Sequence, residues 1–230
     1  MSDQVYKDMV DVMARRGMVF NGRDIPEFYK VVELLFTPEE AAINNAMPAQ
    51  PFTAADLAEK MDRDEAGMEK QLMSMARKGL VVSYQKDGVR LFRAVPFMPG
   101  IFEFVLYRGK ETDRDKKIAQ AIHEYKEAWE AGTPIVIPFP IQRVITVNKT
   151  IEAGNEIHTY DQIKTYIEDN DTIAVGTCYC RQDAKLRGED THGMPMQTCM
   201  FLGQVAEFGI ESLGAKSYTK EEALKLLDEC

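Results

Sequence analysis

The dipeptide Asp87-Gly88 constrains this chain more than any other short feature. It separates two strand-like runs, Leu80-Val81-Val82-Ser83-Tyr84 and Val89-Arg90-Leu91-Phe92-Arg93. A two-residue turn with positive φ at both central positions is what Asp-Gly supplies, so the pair predicts an antiparallel hairpin. Everything before it reads as helix. Amphipathic stretches run from about Gln4 to Arg16 and from Ile25 to Phe36, the second carrying Phe28, Val31, Val32 and Leu35 on one stripe. Thr37-Pro38-Glu39-Glu40 then combines a hydroxyl cap, a proline at the first helical position and a carboxylate at the third, which opens a third helix. Thr53-Ala54-Ala55-Asp56 starts a short helix to about Met61, and Asp64-Glu65 lead into a longer one with Met68, Leu72 and Met75 at helical spacing, ended by Gly79.

Helices followed directly by a hairpin predict a winged-helix domain over residues 1–108, within an α+β chain. Ile101 to Tyr107 is mostly apolar, and Thr112 to Ala131 forms a charged helix with Ile118, Ile122, Tyr125 and Trp129 on one stripe, so residues 109–133 are read as a linking helix. Pro134, Pro138 and Pro140 forbid a continuous helix and predict an extended connector over 133–141. Residues 134–230 are then expected to form a small α/β domain, with a strand at Arg143 to Val147, a helix from about Tyr160 to Glu168 and a strand at Thr172 to Val175. Two helices follow, Met200 to Leu213 ended by Gly214, and Glu221 to Asp228 capped by Thr219 with Glu222.

The N-terminus lacks a basic region followed by an apolar core, and no run approaches the ~20 apolar residues a bilayer span needs. A cytoplasmic chain with no membrane partner is expected. The formal charge of −9 removes the overall basic footprint that counterion release to nucleic acid requires.

The last third carries the chemistry. Cys178, Cys180 and Cys199 fall within 22 residues with His192 between them, in the spacing Cys-x-Cys-x11-His-x6-Cys, after 177 residues without cysteine. Cysteines bunched beside a histidine in a cytosolic-type sequence argue for ligands over disulfides. Thiolates suit zinc, copper(I) and iron–sulfur clusters, and imidazole can complete a four-donor set, so Cys178, Cys180, His192 and Cys199 are the candidate ligands. Cys178 and Cys180 are expected at a strand end, pointing to one face of an extended chain. Arg181, Lys185 and Arg187 would favour their thiolates, and Cys199 is expected near a helix N-terminus, which favours its thiolate too. His123 and His158 read as structural, Met194, Met196 and Met200 as packing, and Cys230 as a terminal thiol or an additional ligand.

At these residues the chain resembles the winged-helix 4Fe-4S-binding, ferredoxin-type proteins of anaerobes. The resemblance rests on Leu35-Phe36-Thr37-Pro38-Glu39-Glu40-Ala41, on Met98-Pro99-Gly100-Ile101-Phe102-Glu103-Phe104, and on Val175-Gly176-Thr177-Cys178-Tyr179-Cys180-Arg181 with Pro195 and Cys199. It runs over essentially the full length. It implies Cys178, Cys180 and Cys199 as cluster ligands, with His192 standing before Pro195 where the family carries a further cysteine. Many such proteins continue into a cysteine-rich ferredoxin module, which is not expected after Cys230.

Three functions stay open on the sequence. An iron–sulfur protein would use the winged helix to dock a protein partner and serve electron transfer or redox sensing. Imidazole in place of one thiolate would raise its reduction potential. A metal-controlled DNA-binding regulator is the second, supported by Arg77, Lys78, Lys86, Arg90 and Arg93 but opposed by Asp62-Arg63-Asp64-Glu65 at the recognition-helix start. Structural zinc in a Cys3His set is the third. An enzyme is the least supported class, because no phosphate loop, Ser–His–Asp constellation or zincin motif is present. The charged helix around Ile118 to Trp129 could serve a homodimer, but reads first as a solvated face packed on its own domain.

Overall fold

The computed structural model describes residues 2–132, 160–191 and 193–229. The expected connector at 133–141, the strand at 143–147, His158, His192 and Cys230 lie outside the described residues.

The N-terminal half forms α1 (Ser2–Arg16), α2 (Pro26–Leu35), α3 (Pro38–Ala46), α4 (Ala54–Lys60) and α5 (Glu65–Arg77), then a hairpin of β1 (Val82–Lys86) and β2 (Val89–Arg93). Reciprocal caps start α3 and α4. Thr37 and Glu40 bond each other's backbone N–H at 3.2 and 3.0 Å, and Thr53 and Asp56 do the same at 3.1 and 2.8 Å. After α5, Gly79 adopts φ +82°, and a Cβ there would lie 2.7 Å from Cβ of Phe104. Both the left-handed turn and the close approach therefore require glycine. In the hairpin turn Asp87 and Gly88 have φ of 51° and 77°, as the dipeptide predicts. Phe52, between α3 and α4, pairs with Phe92 of β2 through two backbone hydrogen bonds of 2.9 and 2.7 Å.

Helices α6 (Ile101–Leu106) and α7 (Asp113–Ala131) follow. The stripe read from the sequence of α7 is buried: Ile118, Ile122, Tyr125 and Trp129, joined by Ala119 and Ala121, enter the main apolar cluster. α7 packs on α2 and on the later helix α9 (Tyr179–Leu186). The stretch expected to link two domains thus supplies core side chains to elements on both sides of it. At the centre, the Phe97 ring stacks on Phe102 at 4.8 Å and meets Phe28 and Tyr125 at 5.8 and 6.0 Å.

Among the described residues, the C-terminal part forms a three-stranded antiparallel sheet in the order β4 (Gln197–Leu202), β3 (Ile173–Thr177), β5 (Lys216–Tyr218). Around it lie α8 (Tyr160–Glu168), α9, α10 (Gln204–Phe208), a π-helical turn Gly209–Leu213, and α11 (Lys220–Glu229), whose start is capped by Thr219 and Glu222 as expected. Ile167, Ile173 and Ala223 form a small second cluster, with Met200 packed against it.

Two expectations are corrected here. The helix expected from Met200 begins only at Gln204, because residues 197–202 pair with β3 in the register Ile173↔Leu202 and Val175↔Met200. Gly203, at φ 60°, turns the chain before α10. An apolar run this short reads equally as strand or helix until its partner is known. The chain at Cys178 and Cys180, expected as an extended strand end, turns into α9, whose buried positions Tyr179, Gln182, Asp183 and Leu186 follow helical spacing with two polar members. Among the described residues, no helix is long and apolar enough to cross a membrane.

Candidate thiol centre

The site is built where β3 runs into α9. Thr177 N–H bonds the Tyr107 carbonyl at 3.2 Å, and Cys178 N–H bonds the Met196 carbonyl at 2.7 Å. Gln197 Nε2 donates to Thr177 Oγ1 at 2.8 Å, and the pairing register shifts between Gly176 and Thr177. Cys178 then becomes the N-cap of α9, its carbonyl accepting from Gln182 N–H at 2.9 Å, with Cys180 in the first turn. The Cys-x-Cys pair is therefore held by a strand-to-helix corner, not by extended chain. Cys199 sits on β4 opposite Gly176. Its carbonyl accepts the Tyr107 hydroxyl at 2.9 Å, and the Tyr107 ring stacks on Phe201 at 4.5 Å. Cys178 and Cys199 are half-buried and Cys180 reaches solvent.

The three sulfurs sense one another. A hydrogen bond with Cys180 lowers the Cys178 thiol to about 5, helped by the α9 N–H groups of Arg181 and Cys180 and by the Arg181 charge against the opposing effect of burial. The same hydrogen bond, with the Cys178 negative charge, pushes the Cys180 thiol up. Burial pushes Cys199 up to about 12, with Cys178 and Glu103 adding to it. Cys199 thus gains no help from a helix N-terminus, since it lies in a strand. Of the three cations expected to face the thiols, Arg181 acts on Cys178 and also bonds the Pro195 carbonyl and Thr198 Oγ1. Lys185 pairs with Glu111 at 2.6 Å, and Arg187 with Asp183 and Glu189.

Sequence reasoning missed a polar cluster behind the thiols. Lys126 of α7 donates to the Tyr179 hydroxyl at 2.6 Å and lies 4.8 Å over its ring. Burial lowers its pKa, while Asp183, Cys180 and Glu103 oppose the fall. It is a positive charge close enough to act on Cys180. The available signal was its spacing: Lys126 stands four residues after Ile122 and three before Trp129, on the buried stripe. Glu103 accepts the Gly100 N–H at 2.8 Å and its pKa is raised by burial. That shift has a sign that can be measured. A carboxyl raised in the folded state is protonated there while the unfolded chain has already ionised, so stability falls as pH rises through the window between the two values. Glu103→Gln keeps the acceptor and removes the titration. Wild type is expected to lose stability relative to Glu103→Gln as pH rises above the ordinary carboxyl range in urea titrations, and a constant difference would refute the assignment.

His123 lies 3.4 Å from Glu127 on α7, in keeping with a structural reading, whereas Met194, expected to pack, is exposed. Among the described residues, no three of His, Cys, Asp and Glu are arranged to hold a single metal ion. The donor chemistry itself fits a soft metal group. Cys178 and Cys180 share the β3–α9 corner and Cys199 on β4 is near enough for the Cys178 charge to act on it; Cys178 is stabilised as thiolate, with backbone N–H groups directed at sulfur. No family model, curated protein or solved structure matches this chain.

Proposed function

We propose that the chain is a redox protein that holds an iron–sulfur cluster through Cys178, Cys180 and Cys199, with His192 as fourth ligand, and docks a protein partner through its N-terminal helices and hairpin. The observation that carries the reading is the gathering of the three thiols at the β3–α9 corner and on the neighbouring β4 strand. A bound cluster would supply one-electron exchange. The chain's own residues would stabilise the Cys178 thiolate through α9 N–H groups and Arg181, place Lys126 beside Cys180, and cover the Cys199 side with Tyr107 and Phe201. Because Cys180 and Cys199 are protonated at neutral pH, loading would release protons and strengthen as pH rises.

The winged-helix reading is supported by the order α3, α4, α5, hairpin, together with the Phe52–Phe92 pairing that adds a short edge to the hairpin. A protein partner is favoured over DNA by internal neutralisation of the cations that DNA would need. Arg90 makes a bidentate pair with Glu211 at 2.5 and 2.7 Å, and Lys78 pairs with the buried Glu40 at 2.6 Å. Arg63, at the start of the would-be recognition helix, pairs with Glu39 at 2.8 Å.

Metal and acid-labile sulfide content with an absorption spectrum, on protein purified without oxygen, tests the reading. Iron with sulfide is expected in wild type, and Cys178→Ser should retain less than about a tenth of it. His192→Ala should shift the spectrum. Zinc without sulfide would make the site a structural clamp and end the electron-transfer reading, as would an absence of both metals.

A further inference from the structure

We propose that the cleft between the end of α5, the α6–α7 connection and the first turn of α7 binds a small organic phosphate. The cleft has a volume of about 280 Å³ and is ringed by Arg77, Lys78, Arg108, Lys110 and Arg114. Its carboxylates are few: Asp115 lines it, and Glu40 pairs with Lys78. Five cations against two carboxylates leave an excess of three positive charges in a chain whose net charge is −9. Such a concentration of like charge in an open cleft attracts an anion.

The cations are largely available. Arg108 gives one N–H to the Ser212 carbonyl at 2.5 Å and Arg114 one to the Leu34 carbonyl at 2.8 Å, each from a guanidinium with five donors. The Arg77 and Lys110 side chains are exposed and have no hydrogen-bond or ion-pair partner among the described residues. Asp115 is itself engaged, accepting the N–H and hydroxyl of Thr112 at the start of α7. Guanidinium forks match the paired oxygens of a phosphate. The remaining wall is apolar, formed by Leu80, Phe104 and Ile118, and offers a place for a non-polar group attached to that phosphate. The volume falls at the small end of ligand pockets, which suits a single phosphate with one ring-sized substituent and not an extended polyanion.

Calorimetric titration of the full chain with phenyl phosphate, inorganic phosphate and phenol, at about 150 mM salt, tests this. One saturable site with Kd below about 1 mM for phenyl phosphate is expected. Inorganic phosphate should bind about tenfold more weakly for want of the apolar contact, and phenol should give no signal. An Arg77→Ala/Lys110→Ala variant should weaken phenyl phosphate at least about tenfold, while Lys86→Ala/Arg93→Ala on the hairpin should leave it unchanged. Phenyl phosphate should also raise the wild-type Tm, a readout independent of any variant. Absence of saturable binding would overturn the proposal, as would equal weakening in both variants, which marks diffuse attraction to surface cations.

Discussion

Phe97→Ala is expected to destabilise the protein by about 3–5 kcal/mol, the range for deleting a fully buried aromatic ring. Phe97 is fully buried, and its ring is enclosed by aromatic neighbours on three sides: stacked on Phe102 at an interplanar angle of 15°, edge-on to Tyr125 at 82°, and tilted against Phe28. These neighbours belong to α2, α6 and α7, and they cannot all close on the vacated space. Phe28 and Tyr125 meet each other at 5.9 Å, and the Tyr125 hydroxyl is tied to the Asn21 carbonyl. The cavity therefore stays open, and the cavity cost adds to the lost transfer free energy. Urea unfolding should give a lower midpoint with an unchanged slope. A loss under about 1 kcal/mol would mean that the aromatic cluster collapses freely, and that α7 is not fixed by it.

That aromatic cluster illustrates what was legible in the sequence. Ile118, Ile122, Tyr125 and Trp129 announce a buried stripe by spacing alone, and the caps at Thr37 and Thr53 are chemistry between residues three apart. The Asp87-Gly88 turn is equally local, since the dihedral angles it permits decide it. α9 was hidden because its buried stripe contains Gln182 and Asp183. Gln182 is tolerated inside by donating to the Lys110 carbonyl at 2.8 Å, and Asp183 by pairing with Arg187 at 3.1 Å. The first of those partners lies far away in sequence, so no window on α9 could reveal it. β4 was hidden for a related reason: its pairing with β3 decides strand over helix. Of the three thiols that the cysteine spacing marked, Cys178 and Cys180 share a hydrogen bond and Cys199 feels the Cys178 charge, in a setting different from the one expected. Cys178 owes its thiolate character first to the hydrogen bond with Cys180 and then to the N–H groups of a helix that the sequence did not suggest, and Cys199 lies in a strand where burial keeps its proton on.

Gly176→Ala is the second large effect, and it joins the core to the thiol corner. A Cβ at Gly176 would lie 2.1 Å from Cε1 and 2.5 Å from Cζ of Tyr107, well inside any tolerated contact. The ring has little freedom to retreat, being stacked on Phe201 at 4.5 Å with its hydroxyl bonded to the Cys199 carbonyl at 2.9 Å. Relief must come from expelling the ring or from parting β3 and β4, and either motion shifts Cys199, which pairs with Gly176 in register. Overpacking of about 1–3 kcal/mol, with a hydrogen bond of about 1 kcal/mol lost, places the expected destabilisation near 3 kcal/mol. Cys199 should at the same time react faster with iodoacetamide as its cover opens. The decisive measurement is a double-mutant cycle with Tyr107→Ala. Removing the ring removes the clash, so Gly176→Ala should cost at least about 1.5 kcal/mol less in that background than in wild type. Equal costs in the two backgrounds would mean that the steric conflict with Tyr107 is not what requires glycine at this position, and that the link between the ring and the thiol corner is not made there.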